Sequence, residues 1–366
     1  MSNVIVAGGG PAGLAAAIAA RQVGLKVSVF DGARPPIDKA CGEGIMPDGL
    51  AALQRLGVTI PADQACSFRG IRFVDESHSV EAGFANGTGY GVRRVVLHEL
   101  LLQHAATLGV ELNWGSRVTG VSGNAIEVNG SRIPFRWLVC ADGQNSLLRR
   151  KSGLFPAASA RVRYGFRRHY RIASWTDLVE VHWAECGQMY VTPIAQDEVC
   201  VAFITRDLGN RFDAALPQFL RLASRLKGAE IAGTTIGAVT ASRRVHRVHS
   251  GPVTLLGEAA GSVDAITGEG LSIAFRQAFA LAAAMRRNCM DEYQAAHDQI
   301  MRVPRNMARL LLSLDGRQRF RQRVLGALER QHEAFECMLA IHTGSKSALD
   351  FGMGQAVRLG WGLLHA

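Results

Sequence analysis

The sequence predicts a mixed α/β protein: a parallel sheet built from strand–turn–helix units, an inserted antiparallel β-sheet domain, and C-terminal helices. Two observations carry this prediction. Short apolar segments that run into glycine-containing turns, each followed by a helix-forming segment, stand at residues 4–7, 137–140 and 253–256. Apolar segments separated by turn residues predict further strands at 70–85 (one or two), 162–170, 178–184, 187–193, 198–205 and 234–247.

Composition limits the classes of protein to consider. The chain has 366 residues, 48% of them hydrophobic, so it can bury one large core or two closely packed ones. Its seven cysteines form no C-x-x-C pair, which argues against a disulfide framework or a metal site and favours a reducing cytoplasm. The formal net charge of +10 favours anionic partners. Because no nucleic-acid motif accompanies that charge, we expect no nucleic-acid binding.

The N-terminus carries the first motif. Residues 4–7 predict a buried strand, residues 14–23 are Ala-rich and helix-forming, and a second strand at 26–30 ends in Asp31. The uncharged stretch 1–20 lacks the basic start of a signal peptide, so strand–turn–helix is the better interpretation. The turn has the spacing G-x-G-x-x-G and consists of Gly8, Gly9, Gly10, Pro11, Ala12 and Gly13.

Each part of this motif has a physical role in binding a dinucleotide. Gly8 makes the tight turn, Gly10 lets the backbone approach a pyrophosphate, and Gly13 lets the helix pack close to the strand. The helix N-terminus presents free N–H groups and its positive dipole end to the phosphates. Asp31, 18 residues after Gly13, has the spacing of an acid that accepts hydrogen bonds from ribose hydroxyls. The motif predicts a Rossmann-like domain but does not distinguish FAD from NAD.

Two later motifs decide between these cofactors. The strand at 137–140 runs into an Asp-Gly turn, and the strand at 253–256 runs into Gly-Glu and then a G-E-G-L turn before an Ala-rich helix. Together the three motifs resemble the flavoprotein monooxygenases of the para-hydroxybenzoate hydroxylase fold, over roughly residues 1–300. The resemblance implies FAD as the cofactor and NAD(P)H as the reductant, with no separate domain for the nicotinamide.

The resemblance also implies domain boundaries and binding residues. The family usually has Asp where this chain has Glu258, so the carboxylate that would face the ribityl chain is one methylene longer. The implied domains are an FAD-binding domain (1–65, 88–158 and 251–300), a substrate-binding sheet (66–87 and 159–250) and a C-terminal helical segment (301–366). The implied cofactor-binding residues are Gly8, Gly10, Pro11, Ala12, Gly13, Asp31, Lys39, Cys41, Gly42, Arg94 (or its neighbour Arg93), Asp142, Gly143, Gly257, Glu258, Gly268, Gly270 and Leu271.

Further segments narrow the activity. Residues 39–44 (K-A-C-G-E-G) and 264–270 look like the geranylgeranyl reductase-related branch of this fold. Flavin halogenases share the fold, but residues 188–193 lack both tryptophans of their W-x-W-x-I-P motif. The combination of these segments with 175–183 is similar to bacterial flavoprotein hydroxylases found beside type III polyketide synthases, which act on resorcinol-type phenolic lipids.

The leading hypothesis is therefore an FAD-dependent monooxygenase that uses NAD(P)H and O2 to hydroxylate a phenolic, lipid-tailed small molecule through a C4a-hydroperoxyflavin. A base that removes the phenolic proton assists such a reaction. The candidates are Tyr190, His182 and His169, for each of which a structural role is the alternative. Two other functions stay open: an FAD-dependent reductase or desaturase of isoprenoid C=C bonds, and a flavin-binding membrane-surface protein.

The C-terminal segment carries a dense set of basic residues. A basic amphipathic helix can rest on anionic lipid, which would suit a lipid-like substrate, and a helical cap with a solvated face is the alternative. The apolar tail 359–364 could contact a membrane or the pocket entrance. Charges interrupt every apolar run before a membrane-spanning length, so we expect a cytoplasmic protein with peripheral membrane contact. The arginines are Arg302, Arg305, Arg309, Arg317, Arg319, Arg321, Arg323 and Arg330.

Overall fold

The computed structural model describes residues 4–156 and 161–352. Its strands are β1 (Val4–Ala7), β2 (Val27–Asp31), β3 (Gly44–Ile45), β4 (Cys66–Phe68), β5 (Gly70–Val74), β6 (Ser79–Gly83), β7 (Gly89–Gly91), β8 (Glu111–Trp114), β9 (Val118–Ser122), β10 (Ala125–Val128), β11 (Ser131–Pro134), β12 (Trp137–Cys140), β13 (Arg161–Arg171), β14 (Val179–Ala184), β15 (Gly187–Ala195), β16 (Glu198–Thr205), β17 (Glu230–Arg244), β18 (His249–Ser250), β19 (Val253–Leu255) and β20 (Gly261–Ser262).

The α-helices lie between and after these strands. They are α1 (Pro11–Gln22), α2 (Pro47–Arg55), α3 (Arg94–Thr107), α4 (Leu147–Lys151), α5 (Phe212–Ala215), α6 (Leu220–Arg225), α7 (Gly270–Arg287), α8 (Met290–Ile300), α9 (Arg302–Leu314), α10 (Gln318–Arg330) and α11 (His332–His342). Short 3-10 turns at 257–260 and 265–267 connect β19, β20 and α7.

A six-stranded sheet forms the Rossmann-like part of the molecule. Its order is β18-β19-β12-β1-β2-β8, and all neighbours run parallel except the edge pair β18–β19. Strands β1, β12 and β19 are buried along their whole length, as expected for a parallel sheet covered on both faces. Helix α1 packs against α3 and α7. The predicted Rossmann-like arrangement is confirmed.

The inserted sheet has eight strands in the order β20-β17-β13-β16-β15-β14-β5-β6. Its neighbours run antiparallel, as predicted, except that β14 pairs parallel with β5. Between β6 and β13 the chain builds β7 to β12 of the other sheets, and β14, which follows β13, runs in the direction of β5. Residues 212–225 form α5 and α6, which the sequence analysis did not predict, and their apolar side chains pack against one face of the sheet.

The C-terminal helices cover the cavity side of the inserted sheet. Phe335 and Leu339 of α11 and Leu325 of α10 pack on β6, while Leu311 of α9 packs against Trp183 of β14. These helices therefore act as a cap, although most of the arginines that they carry stay exposed. None of the helices in the described ranges is long and apolar enough to cross a membrane. The tail 359–364 lies outside the described residues.

Candidate active site

A cavity of about 970 Å³ opens where the parallel sheet meets the inserted sheet. Ala7, Ala141 and Gly257 line it, and they end or follow β1, β12 and β19. The carboxyl ends of parallel strands are where open α/β sheets bind ligands. The other walls come from residues 39–44, residues 261–271, the inserted sheet, and helices α9 and α11. The cavity therefore joins all the motifs that the sequence singled out.

The N-terminal glycine turn fits a pyrophosphate. Gly8 has a φ of +114°, and a Cβ on Gly13 would lie 1.8 Å from the Gly8 carbonyl oxygen, so both positions require glycine. A Cβ on Gly10 would meet nothing within 4 Å, because Gly10 faces the cavity. Helix α1 begins at Pro11 without a side-chain cap, which leaves the N–H groups of its first turn for an anion.

Asp31 fixes this turn and lines the cavity. One carboxylate oxygen accepts a hydrogen bond from the Gly9 amide at 2.6 Å, and the other accepts from the Ala33 amide at 2.7 Å. Each oxygen keeps a further lone pair, so the carboxylate can still accept from a ribose hydroxyl. His98 supports the same turn through a 2.9 Å contact between Nε2 and the Gly9 carbonyl oxygen. The predicted ribose contact of Asp31 fits this position.

The Asp-Gly turn after β12 also borders the cavity through Asp142 and Gly143. The Asp142 carboxylate accepts hydrogen bonds from the Ser146 hydroxyl and from the Leu148 amide, so it caps α4. Gly143 has a φ of +79°, which a residue with a side chain rarely adopts. The backbone geometry of this turn therefore explains in part why Asp and Gly occupy positions 142 and 143.

Glu258 forms an ion pair with Lys39 at 2.8 Å, and both side chains line the cavity. Both are about two-fifths exposed, so the pair contributes at most about 1 kcal/mol and leaves the carboxylate available to a ligand hydroxyl. The longer side chain at 258 thus ties segment 39–44 to the turn after β19. Behind that turn, the Gly257 amide donates to Oε1 of Gln277 at 2.8 Å.

Segment 39–44 is anchored by Glu43, whose role the sequence analysis missed. Its carboxylate is buried and accepts from the Arg94 amide at 3.0 Å and from Arg167 at 2.9 Å, and its other oxygen lies 2.6 Å from Nε2 of His169. Glu43, His169 and Cys200 are close enough to resemble a metal-ligand set. Because the Arg167 guanidinium already neutralises the Glu43 carboxylate, the cluster is explained as a structural anchor of segment 39–44. Cys41 and Gly42 of the same segment line the cavity.

Arg94 and its neighbour Arg93 have different surroundings. Arg93 pairs with Glu198, whereas Arg94 lines the cavity at the start of α3. The Arg94 Nε atom is buried without a partner among the described residues. Of the two arginines that the sequence put forward for the phosphates, Arg94 is the one that the fold directs toward the cavity.

A second helix N-terminus faces the cavity at Gly270, where α7 begins. Gly268 has a φ of +69°, and a Cβ on either Gly268 or Gly270 would meet nothing within 4 Å. The preceding loop is held by Asp264, which accepts from the buried Arg163 guanidinium at 2.9 Å. Leu271 lines the same wall. Open space in front of two glycines and a helix N-terminus suits the flat, polar edge of a ring system.

The three candidate bases lie in different places. Tyr190 lines the cavity, but its hydroxyl donates to the Ile266 carbonyl oxygen at 2.9 Å, and burial raises its pKa well above the usual value. His169 is paired with Glu43. His182 is outside the cavity lining, on the opposite face of β14 from Val181, and its Nε2 lies 3.0 Å from Glu180.

Glu180 is held as a carboxylate on that opposite face. Burial opposes its ionisation, but hydrogen bonds with His182 and Trp175, together with Arg72, lower its pKa to about 2. His182 therefore belongs to a structural polar cluster in this fold. The proton-transfer role that the sequence analysis offered for it has no cavity contact to support it.

Two further ionisable residues line the cavity and were not among the predicted site residues: Glu269 and His342. Glu269 stands within the G-E-G-L turn, and its place in that motif is the sequence signal that points to it. His342 is the last residue of α11 and has no motif around it. Only the folded chain brings the two together.

Most of the remaining cavity wall is apolar. Apolar side chains from β4, the inserted sheet, the turn at 265–267 and helices α9 and α11 share this property, and we call them the apolar wall. Its members are Phe68, Ile71, Phe73, Val179, Val181, Ile266, Met307, Leu311, Phe335, Met338 and Leu339. Such a wall suits a ligand with a substantial apolar part.

The fold and the cavity together define a nucleotide-binding α/β protein with a ligand-covering sheet. A family model described as an FAD binding domain matches residues 1–295. The chain belongs to this FAD-binding family, as the three motifs predicted, and is an FAD-dependent oxidoreductase by that membership. FAD is the cofactor that the glycine turn and the two helix N-termini fit.

Relatives by sequence include both reductases and monooxygenases. The chain is 29% identical over 324 residues to a menaquinone reductase of Mycolicibacterium smegmatis, covering 81% of this chain and 79% of that protein. It is 24% identical to a rifampicin monooxygenase of Streptomyces venezuelae, covering 77% and 63%. It is also 24% identical to digeranylgeranylglycerophospholipid reductase 2 of Methanopyrus kandleri, covering 74% and 73%.

Solved structures show the same fold. A flavoprotein/dehydrogenase of Cytophaga hutchinsonii matches with a TM-score of 0.80 and 19% identity, covering 94% of this chain and 92% of that one. A geranylgeranyl bacteriochlorophyll reductase-like protein of Thermoplasma acidophilum matches with a TM-score of 0.74 and 19% identity, covering 98% and 95%. These likenesses confirm the predicted fold.

Proposed function

We propose that this protein is an FAD-dependent monooxygenase that uses NAD(P)H and O2 to hydroxylate a phenolic ring carrying an apolar tail. The observation that carries the proposal is the apolar wall, which is continuous with the glycine turns of the cofactor end of the same cavity. An apolar tail gains roughly 25 cal/mol for each Å² that it removes from water, so the tail supplies affinity while polar groups orient the ring.

The chain's own residues supply binding, orientation and exclusion of water. Bound FAD supplies electron transfer from NAD(P)H and the activation of O2. The helix N-termini at Pro11 and Gly270 offer positive dipole ends to anionic parts of the cofactor. The apolar wall and the cap of α9 and α11 keep water away from the ring that reacts.

A second candidate is reduction of an isoprenoid C=C bond. Two observations favour it: the menaquinone reductase relative aligns over most of both chains, and the digeranylgeranylglycerophospholipid reductase aligns over about three quarters of each. The apolar wall would take an isoprenoid chain as readily as an alkyl tail. The two reactions differ in the product, which gains one oxygen atom on hydroxylation and two hydrogen atoms on reduction.

The test is product analysis with the FAD-loaded enzyme. An alkylresorcinol and a polyprenyl quinone are each incubated with NADH or NADPH in air, and products are identified by mass spectrometry. The proposal expects the resorcinol to gain one oxygen atom and the quinone to stay unchanged. Reduction of the quinone side chain, with the resorcinol unchanged, would replace the first candidate by the second. The enzyme without reductant is the control.

We also propose that the protein works in the cytoplasm and touches the membrane through its cap. Arg317, Arg319 and Arg323 are exposed around α10, and Phe320 and Leu310 are 40% and 44% exposed beside them. A basic surface with exposed apolar side chains suits anionic lipid. Co-sedimentation with phosphatidylserine vesicles should fall when Arg319 and Arg323 are both replaced by Glu. Equal binding of both proteins, or equal binding to phosphatidylcholine vesicles, would refute the contact.

A further inference from the structure

Two buried nitrogen atoms behind the cofactor end of the cavity have no hydrogen-bond partner. His297 of α8 is 0% exposed, and its Nε2 atom is unpaired among the described residues. Nη2 of Arg305 on α9 is likewise buried and unpaired, although the residue as a whole is only half-buried. Buried polar groups are nearly always paired, so two unpaired ones in one region point to a missing partner.

The two residues lie along one side of a continuous helical path. The Met301 amide donates to the His297 carbonyl oxygen at 3.0 Å, and the Arg305 amide donates to the Met301 carbonyl oxygen at 3.1 Å. Residues four apart share a helix face, and a long side chain there reaches back toward the helix N-terminus. The Arg305 guanidinium is therefore directed toward the His297 ring. Burial lowers the pKa of His297 to about 4, and the charge of Arg305 acts in the same direction.

The Gly257 amide determines where the hydrogen atoms of this region lie. Its N–H donates to Oε1 of Gln277 at 2.8 Å, so the other end of the Gln277 side chain is the NH2 group, which only donates. That nitrogen lies 3.2 Å from Nδ1 of His297 and 3.7 Å from the Met301 sulfur. Nδ1 of the neutral His297 ring therefore accepts, and Nε2 carries the hydrogen. The unpaired atoms of His297 and Arg305 are thus both donors.

The charges around these donors are mostly positive. Burial lowers the pKa of Arg305, and the charges of Arg244 on β17 and Arg309 on α9 act in the same direction. Asp298 opposes them, but it is exposed and accepts from Gln294 at 3.0 Å. A water molecule would accept from both donors, but its own hydrogens would then need acceptors. An anion needs donors and positive charge alone, and this region supplies both.

We propose that His297 and Arg305 bind a small monovalent inorganic anion such as chloride. The anion accepts from Nε2 of His297 and from Nη2 of Arg305, and it offsets the excess positive charge between α8, α9 and β17. Through His297 and Gln277 it is linked to the Gly257 amide, so it supports the turn after β19 from behind. The site lies outside the reaction, and the proposal holds whether the enzyme is a monooxygenase or a reductase.

The first test measures the thermal midpoint of the FAD-loaded protein at pH 7 in sodium chloride, sodium bromide or sodium gluconate. Ionic strength is equal in all three salts, and gluconate is a large organic anion. A ligand that binds only the folded protein raises the midpoint with its concentration. We expect chloride and bromide to raise the midpoint above its value in gluconate. Equal midpoints in the three salts would overturn the proposal.

Arg305→Met assigns the effect to this site, because it keeps the apolar stem and removes the charge and the donors. The apparent Kd for chloride should rise at least about tenfold, the effect of losing one hydrogen bond between charged groups. Arg302→Met is the matched control, since Arg302 is an exposed arginine on the same helix, and it should keep the wild-type Kd. The same chloride dependence in both variants would contradict the site.

The link to Gly257 is tested through the cofactor. Two sites that share a relay favour each other's ligands, and such coupling is typically about fivefold or more. Replacing gluconate by chloride should therefore lower the Kd for FAD of the wild type about fivefold and leave that of Arg305→Met unchanged. An equal change in both proteins would contradict the link.

A crystal of the wild-type protein soaked in sodium bromide locates the ion without any substitution. Bromide scatters anomalously, so its position is distinguished from that of a water molecule. We expect an anomalous peak within hydrogen-bond distance of Nε2 of His297 and of a guanidinium nitrogen of Arg305. A water molecule at that position in the soaked crystal, with no anomalous signal, would overturn the proposal.

Discussion

The substitution Gly10→Ala should change the affinity for FAD without changing the stability of the fold. Gly10 has φ −72° and ψ 177°, which alanine adopts without strain, and its Cβ would meet no protein atom within 4 Å. The methyl group would project into the cavity where the pyrophosphate must approach the backbone. We therefore expect loss of FAD affinity without loss of protein stability.

The expected rise in the Kd for FAD follows from the loss of one hydrogen bond to the pyrophosphate. A hydrogen bond to a charged group contributes about 1.5–3 kcal/mol, and each 1.4 kcal/mol is tenfold in Kd. Gly10→Ala should therefore raise the Kd for FAD by roughly 10- to 150-fold. The apoprotein should keep its stability or gain up to about 1 kcal/mol, because alanine restricts the unfolded chain more than glycine does.

The assay is a titration of apoprotein with FAD, followed by flavin fluorescence, together with urea unfolding of the apoprotein. Gly13→Ala is the matched comparison, since its Cβ would lie 1.8 Å from the Gly8 carbonyl oxygen and must disturb the fold itself. That variant should lose stability even without FAD. An unchanged Kd for FAD in Gly10→Ala would refute the placement of the pyrophosphate.

Three further predictions concern the core, the acid range and the substrate tail. Arg163→Met should cost about 3–5 kcal/mol of unfolding free energy, because it leaves the buried carboxylate of Asp264, now 2.9 Å from the guanidinium, without a cation, whereas Asp315 keeps Arg206 at 2.8 Å. Urea unfolding measures this cost. Burial lowers the pKa of His297 from 6.5 to about 4. As the pH falls from 6.5 to 4, the unfolded chain therefore binds a proton on His297 that the folded chain does not bind, and the protein loses stability over this pH range. His297→Gln should remove on the order of 3 kcal/mol of that loss between pH 7 and pH 4, measured by unfolding at each pH. Leu311→Phe should raise KM about tenfold for a long-tailed resorcinol and leave a short-tailed one unchanged, because the larger ring occupies the cavity end of α9.

Each of these predictions has a control and a contradicting result. Adding Asp264→Asn to Arg163→Met should restore part of the stability, and a cost below about 1 kcal/mol for the single variant would contradict the buried pair. An acid slope in His297→Gln equal to that of the wild type would contradict the buried neutral histidine. Equal KM changes for both tail lengths in Leu311→Phe would exclude this wall as the tail site.

Local geometry explains what the sequence could predict. The strand, turn and helix at residues 4–22 are encoded by neighbours in the chain, because a glycine turn and an apolar strand each need only a few adjacent residues. The same holds for the turns at Asp142 and Gly257. These features were sufficient to predict the fold and the cofactor.

Long-range contacts explain what the sequence could not predict. Glu43 is held by Arg167 and His169, more than 120 residues away, and Glu269 meets His342 across two layers of the fold. No local spacing encodes such contacts. The strand at 178–184 was predicted, but the sequence did not indicate which of its faces would meet the cavity, and the face that carries Val179 and Val181 did. His182 consequently lies on the far side of the sheet from the ligand.

Isotope labelling of the product tests the central claim most directly. The FAD-loaded enzyme is supplied with NAD(P)H and a long-tailed alkylresorcinol under ¹⁸O2, and the product is analysed by mass spectrometry. The account predicts a ring product that contains one ¹⁸O atom and appears only when reductant and oxygen are both present. A product that gains two hydrogen atoms and no label, formed equally well without oxygen, would contradict the monooxygenase assignment and establish a reductase.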